Sequence, residues 1–169
     1  QLINIILKQV QSLDININEF DVYSMQGLIS KAFAEYVFLK NERAYITSDL
    51  SQDFKFKGND SLFVFVIFNI LKITLSQPDY PLNFEIHIST NISDKMNWLS
   101  VRFNHQSNFK ADKRFALNAL EGHKDKSMQE TNLSFAYCYH VMKSFSGEIN
   151  YLSHGDQSSE FKLGFPHVE

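Results

Sequence analysis

Residues 60–76, DSLFVFVIFNILKITLS, form the most apolar run of the chain and carry one lone polar residue, Asn69, in their middle. At helical spacing the run is apolar on nearly every face, which marks a helix buried in a core rather than an amphipathic surface helix. It is too short and too interrupted to span a bilayer. Any fold for this chain must wrap other elements around that helix. Asn69 then has two readings, an amide bonded to backbone or water inside the core, or a ligand on one polar face.

The remaining bulk properties bound the answer. The chain has 169 residues, of which 44% are hydrophobic and 21% charged, enough for one globular domain with a proper core. A net charge of -3 argues against nucleic acid as a partner, because such binders carry a basic stripe. The acidic balance also makes the 16 Phe residues core packing rather than a platform for bases. The single Cys138 excludes an internal disulfide and fits a reducing compartment, so a cytoplasmic location is expected. It falls in a helical pattern and reads as a small core residue rather than a nucleophile. The chain opens mid-pattern at Gln1 without a signal peptide, and the expectation is a piece of a longer protein with any membrane anchor or sensor upstream.

Leu2, Ile5, Ile6 and Val10 recur at helical spacing, so residues 1–11 read as a helix, and 1–15 as the tail of an upstream segment. Residues 20–24 (FDVYS) read as a strand and 25–39 as a helix with Leu28, Ile29, Ala32, Phe33 and Tyr36 on one face. Residues 44–48 and 54–57 alternate as a strand pair, Gly58 and Asn59 supply a turn, and Asp60 stands where the N-cap of the central helix belongs. Pro78 and Pro81 end that helix and its exit loop. Residues 83–90 and 97–104 alternate as an antiparallel pair turning near Asp94 and Lys95.

From His105 to Glu130 the pattern dissolves into a polar stretch with Lys110, Lys113, Arg114, Lys124 and Lys126, too long for an ordinary connection and so a lid or a disordered loop. Its cations would meet an acidic partner or form a solvated face. Residues 133–145 regain helical periodicity, Gly147 follows, and two strands close the chain around Gly155 and Asp156. Helices on one face of a mixed sheet make a two-layer α/β sandwich.

This order of elements, with DSLFVFVIFNILKITL, LSFAYCYHVMKSFSGEINYLS and EFKLGFP in these places, resembles the ATP-binding domain of sensor histidine kinases, the Bergerat or GHKL fold, over residues 20–168. The wording of FKGND…FNILK and VMKSFSGEI is similar to quorum-sensing kinases of the α-hydroxyketone type. The resemblance implies ATP and Mg²⁺ as cofactors and a response regulator, a phosphotransfer protein or another kinase as partner. It also implies homodimerisation through upstream helices, and a cytoplasmic domain of a membrane-anchored sensor. Phosphoryl transfer would then rest on holding Mg²⁺, cradling phosphates and fixing the adenine.

The sequence departs from that pattern at each motif. The family's asparagine box has two Asn residues at i and i+4, the second an oxygen ligand of Mg²⁺; here the pair is Asn69 and Ile73, and Ile offers no oxygen to a hard cation. The first glycine box, D-x-G-x-G, matches Asn104, His105, Gln106, Ser107 and Asn108; Asn104 keeps an amide oxygen for adenine, but the glycines are gone. The second, G-T-G-L-G-L, matches Glu130, Thr131, Asn132, Leu133, Ser134 and Phe135, with Glu130 at a mouth where phosphates would sit. His87, His105, His123, His140, His154 and His167 show no metal-ligand spacing, and none precedes Glu or Asp as the family's phosphoacceptor often does. The expectation is a pseudokinase with no confident catalytic residue and no metal ligand beyond Asn69. Its vestigial nucleotide site is Asn69, Ile73, Asn104, Gln106, Asn108, Glu130, Asn132 and Ser134. The alternative is an active catalytic domain with a divergent site that phosphorylates an upstream His.

Overall fold

The computed structural model describes residues 15–77, 79–107 and 126–169, with the backbone alone for 126–132. The expected helix at 1–11 and most of the polar stretch fall outside them. The described chain runs β1 (Asp21–Ser24), α1 (Met25–Glu35), β2 (Ile46–Asp49), β3 (Lys55–Gly58), α2 (Asp60–Leu75), β4 (Ile86–Ile92), β5 (Met96–Asn104), α3 (Lys126–Ser144), β6 (Glu148–Ser153) and β7 (Ser158–Pro166). Five strands form one mixed sheet in the order β2-β4-β5-β7-β6, and β1 pairs with β3 in a separate antiparallel ribbon. The fold is therefore the expected α/β sandwich, but β2 and β3 are not a pair. β2 lies parallel to β4, Ile46 opposite Ile86, while β3 returns to β1 with Val22 opposite Lys57.

Every second residue of the sheet faces the helices: Ile86 and Ile88, Leu99, Val101 and Phe103, Phe161, Leu163 and Phe165, all buried. The apolar run forms α2, which touches α1 on one side and α3 on the other and buries Phe63, Val66, Ile67, Ile70, Leu71 and Ile73. The ribbon joins this core through Phe56, whose ring meets those of Phe63, Phe145 and Phe165 at centroid distances of 5.0, 6.0 and 4.9 Å.

Local chemistry sets the helix ends. Asn59, not Asp60, caps α2: its side-chain oxygen accepts from the Leu62 amide at 2.9 Å. Asp60 lies one position further in, where a negative charge favours the helix dipole, and meets the Lys31 ammonium at 3.4 Å. Ser24 caps α1, and Asp53 reinforces it from the loop before β3 by accepting from the Gln26 amide and the Ser24 hydroxyl. α1 stops at Glu35, short of the expected Leu39, because Tyr36 turns to extended geometry. The chain there folds Phe38 back against Tyr36 and Phe33.

α3 starts at Lys126 rather than Leu133, and it ends in a Schellman motif. The Gly147 amide donates to the Met142 carbonyl at 2.9 Å and the Ser146 amide to that of Lys143 at 3.0 Å. Ser146 holds φ at 60°, a left-handed position that costs a residue with a Cβ about 1–2 kcal/mol. Its side chain is exposed. Ser146→Gly should stabilise the domain by about 0.5–1 kcal/mol, the relieved strain less the extra freedom of Gly in the unfolded chain. A rise in the urea midpoint at unchanged slope would show it.

The other face of the sheet carries polar groups, including a buried carboxylate, Glu160. It accepts from the Ser100 hydroxyl, meets His154 Nε2 at 2.7 Å and lies 3.6 Å from the Arg102 guanidinium. Burial alone would raise its pKa, but the Ser100 and His154 bonds and the Arg102 charge outweigh that and hold it below the ordinary value of 4.5. A depressed folded-state pKa gives stability that is present above about pH 4.5 and lost as pH falls through the folded value. Urea midpoints measured from pH 5 down to about 3 should therefore fall, and Glu160→Gln should remove part of that slope.

Candidate functional site

The residues matched to the nucleotide motifs lie on α2, at the end of β5, and on α3. On α2 the lone polar residue is not buried. Asn69 is half-exposed and its side-chain nitrogen donates to the Phe65 carbonyl one turn back, at 2.8 Å. α2 has a solvent-facing stripe of Ser61, Phe65, Asn69 and Lys72, disguised in the sequence by Phe65, which is 56% exposed. Its ring bridges Phe68 and Tyr137, at centroid distances of 5.7 and 5.8 Å. Ile73, one turn after Asn69, is 2% exposed and belongs to the main hydrophobic core. The i, i+4 pair is thus split between surface and core.

At the end of β5, the Asn104 side chain is engaged at both ends. Its oxygen accepts from the Glu85 amide at 2.6 Å and its nitrogen donates to the Asn83 carbonyl at 3.1 Å. Gln77, just past α2, fastens the same segment. Its side-chain nitrogen donates to the Asn104 carbonyl at 3.2 Å and its side-chain oxygen accepts from the Gln106 amide at 3.2 Å. His105 is buried between them, with Nε2 2.8 Å from the Ser159 hydroxyl and Nδ1 2.8 Å from the Gln106 carbonyl. A carbonyl can only accept, so Nδ1 carries a proton and donates it to Gln106. The Gln157 carbonyl completes the knot by accepting from the His105 amide at 2.8 Å. Neither Gln77 nor His105 stood out in the sequence as a structural residue, since their partners lie 29 and 54 positions away.

Asn108 lies outside the described residues. Glu130 and Asn132 fall within α3, which begins at Lys126, so Glu130 sits one turn inside the helix rather than at its mouth. Ser134 is buried. On the same helix Cys138 is fully buried with its thiol toward the Val66 carbonyl at 3.6 Å, and burial raises its pKa well above the ordinary range. That suits packing and opposes thiolate chemistry. No group of three or more His, Cys, Asp or Glu side chains among the described residues could hold a metal ion, and no helix among them is long and apolar enough to cross a membrane.

The fit of Mg²⁺ and ATP to these residues can be judged from their geometry. A hard cation needs oxygen ligands, and the position expected to provide one is an Ile in the core. The Asn104 amide, matched to the family's adenine-binding Asp, already has two backbone partners.

No protein-family model matches the chain. Over 177 aligned residues, 99% of this chain, it is 30% identical to the autoinducer 1 sensor kinase/phosphatase LuxN of Vibrio campbellii, of which it spans 20%. It is 25% identical over the same length to the CAI-1 autoinducer sensor kinase/phosphatase CqsS of Vibrio cholerae, of which it spans 24%. The chain therefore corresponds to between a fifth and a quarter of these curated relatives. Among solved structures, the catalytic domain of the histidine kinase ThkA superposes with a TM-score of 0.64 at 16% identity, covering 88% of this chain and 95% of that one.

Proposed function

Starting from a chain that is a histidine-kinase-type domain in fold and a relative of quorum-sensing sensor kinases in sequence, we propose that it is the pseudokinase domain of a two-component signalling protein. It keeps the sandwich and has given up Mg²⁺ and ATP. The observation that carries this reading is Ile73, core-packed where the family places an oxygen ligand. The bonded Asn104 and the Gln77 brace support it independently. With phosphoryl transfer gone, the domain acts by contact: it docks a response regulator or phosphotransfer protein, or modulates another kinase. Upstream helices place it in a homodimer, on the cytoplasmic side of a membrane-anchored sensor.

Titration of a fluorescent ATP analogue with excess Mg²⁺ tests the reading. No saturable binding is expected up to about millimolar nucleotide, a free energy of only about -4 kcal/mol. Micromolar binding that depends on Asn69 or Asn104 would instead establish the active divergent kinase. The triple change Ile73→Asn, Asn132→Gly and Ser134→Gly is expected to leave saturable ATP binding absent, because the Asn104–Gln77–Gln106 bonds remain.

A further inference from the structure

The helix-facing side of β4 and β5 is apolar except at the turn end of the hairpin. Every second residue along β4 leads from Ile86 and Ile88 to Thr90, and every second residue back along β5 leads from Phe103, Val101 and Leu99 to Asn97. Thr90 is 8% exposed and Asn97 7%. Thr90 Oγ1 and Asn97 Oδ1 are both sealed from solvent, and neither has a hydrogen-bond partner, so the two do not bond to each other. The register nevertheless makes them neighbours. Thr90 pairs with Leu99 and Asn97 with Ile92, which sets Thr90 and Asn97 diagonally across the ladder on one face. The residues opposite them, Leu99 for Thr90 and Phe165 of β7 for Asn97, are fully buried and apolar. Two polar atoms side by side in such surroundings would each carry the whole penalty of lost hydration, and native cores avoid that by pairing such atoms or by holding water between them.

We propose that one internal water molecule sits between Thr90 Oγ1 and Asn97 Oδ1 and joins the two strands there. The water donates one proton to Asn97 Oδ1 and bonds the Thr90 hydroxyl, which can donate or accept. Diagonal neighbours in an antiparallel pair stand about 7–8 Å apart, and closer at their Cβ atoms. Two bonds of about 2.8 Å through one water oxygen bridge what is left between the side-chain tips. The chemistry selects water over an ion. A hydroxyl and an amide are neutral, and the described residues hold no cluster of His, Cys, Asp and Glu that could bind a metal. Ile92, opposite Asn97, is 50% exposed, so the site lies one layer below the surface at the end of the hairpin. Because both oxygens are sealed, the water exchanges only when that end of the ladder opens. Asn97 and Asn104 lie near opposite ends of β5, and the water is independent of whether nucleotide binds.

The test reads water directly in the isotopically labelled, unmutated chain. Water-selective NMR is expected to show a long-lived water in contact with the Thr90 methyl group and the Asn97 side-chain amide. Absence of that contact overturns the proposal, whatever the variants do. Urea midpoints of Thr90→Val, Asn97→Leu and the double variant supply a second readout whose sign discriminates. With the water in place, each single change strands the other oxygen and lowers the midpoint, while the double change removes both polar groups and is at least as stable as either single one. If the two oxygens are dry and unpaired, each single change removes a penalty and raises the midpoint, which overturns the proposal. A direct Thr90–Asn97 bond would lower the midpoints without any water contact in the spectrum, and that outcome overturns it too.

Discussion

Ile73→Asn should lower the stability of the domain by about 4 kcal/mol while leaving Mg²⁺ and ATP unbound. The side chain at this position is 2% exposed and packed in the main core. Truncating a buried Ile costs about 2–5 kcal/mol, and an amide placed there without partners adds about 1–3 kcal/mol. Partial relaxation brings the sum to the lower half of that range. Against a typical total of about 5–15 kcal/mol, the loss is large enough to unfold a marginal domain. The resemblance makes this position an oxygen ligand of Mg²⁺, so an Asn placed there would on that ground alone be expected to help binding. The opposite result, a tolerated Asn and nucleotide-dependent stabilisation, would show that the position still opens toward a pocket. Urea denaturation with and without Mg²⁺ and ATP separates the two outcomes.

Gly147→Ala should cost about 3 kcal/mol, although it adds a single methyl group. A Cβ at Gly147 would lie 2.3 Å from the Gly164 carbonyl oxygen and 3.1 Å from the Met142 side-chain methyl. The first neighbour is backbone and cannot turn aside. Gly164 sits opposite Glu148 in the β6–β7 ladder, so moving it strains the strand pair that begins one residue after Gly147. The same glycine donates the closing bond of the α3 Schellman motif, which fixes where the helix hands the chain to the sheet. Gly155→Ala is the natural control. Gly155 has φ at +87° but no atom within 4 Å of an added Cβ, so only the backbone preference is lost, about 1 kcal/mol. Equal effects of the two changes in chemical denaturation would contradict the steric account.

The parts of this fold that were legible in sequence are those whose signal is local. α2 declared itself through its apolar run, and β4 and β5 through alternation and a turn between them. Partner choice was not legible. Alternation marks a strand and its buried face, but nothing in residues 46–49 says that their neighbour is Ile86–Ile92 rather than Lys55–Gly58. The start of α3 was hidden because residues 126–132 carry no apolar stripe to count. Asn69 looked buried because Phe65 and Phe68 flank it with rings on the half-exposed side of the helix. Ile73 could be read correctly as a core residue, since its own chemistry admits little else. The Gln77 brace had no sequence signature at all, being two long-range bonds from one flexible side chain.

The separation of the β1–β3 ribbon from the five-stranded sheet has a consequence for how the domain breathes. β5 and β7 are paired along nine residues, with a further strand on each outer side, so their amides open only when the whole sheet does. The ribbon has four paired positions, and β2 clings to the sheet edge by four more. Protons on those two short ladders should exchange with solvent through partial openings far cheaper than global unfolding. The hydrogen bonds of the β1–β3 ribbon and of the β2 edge can therefore open and re-form while the central strands stay paired.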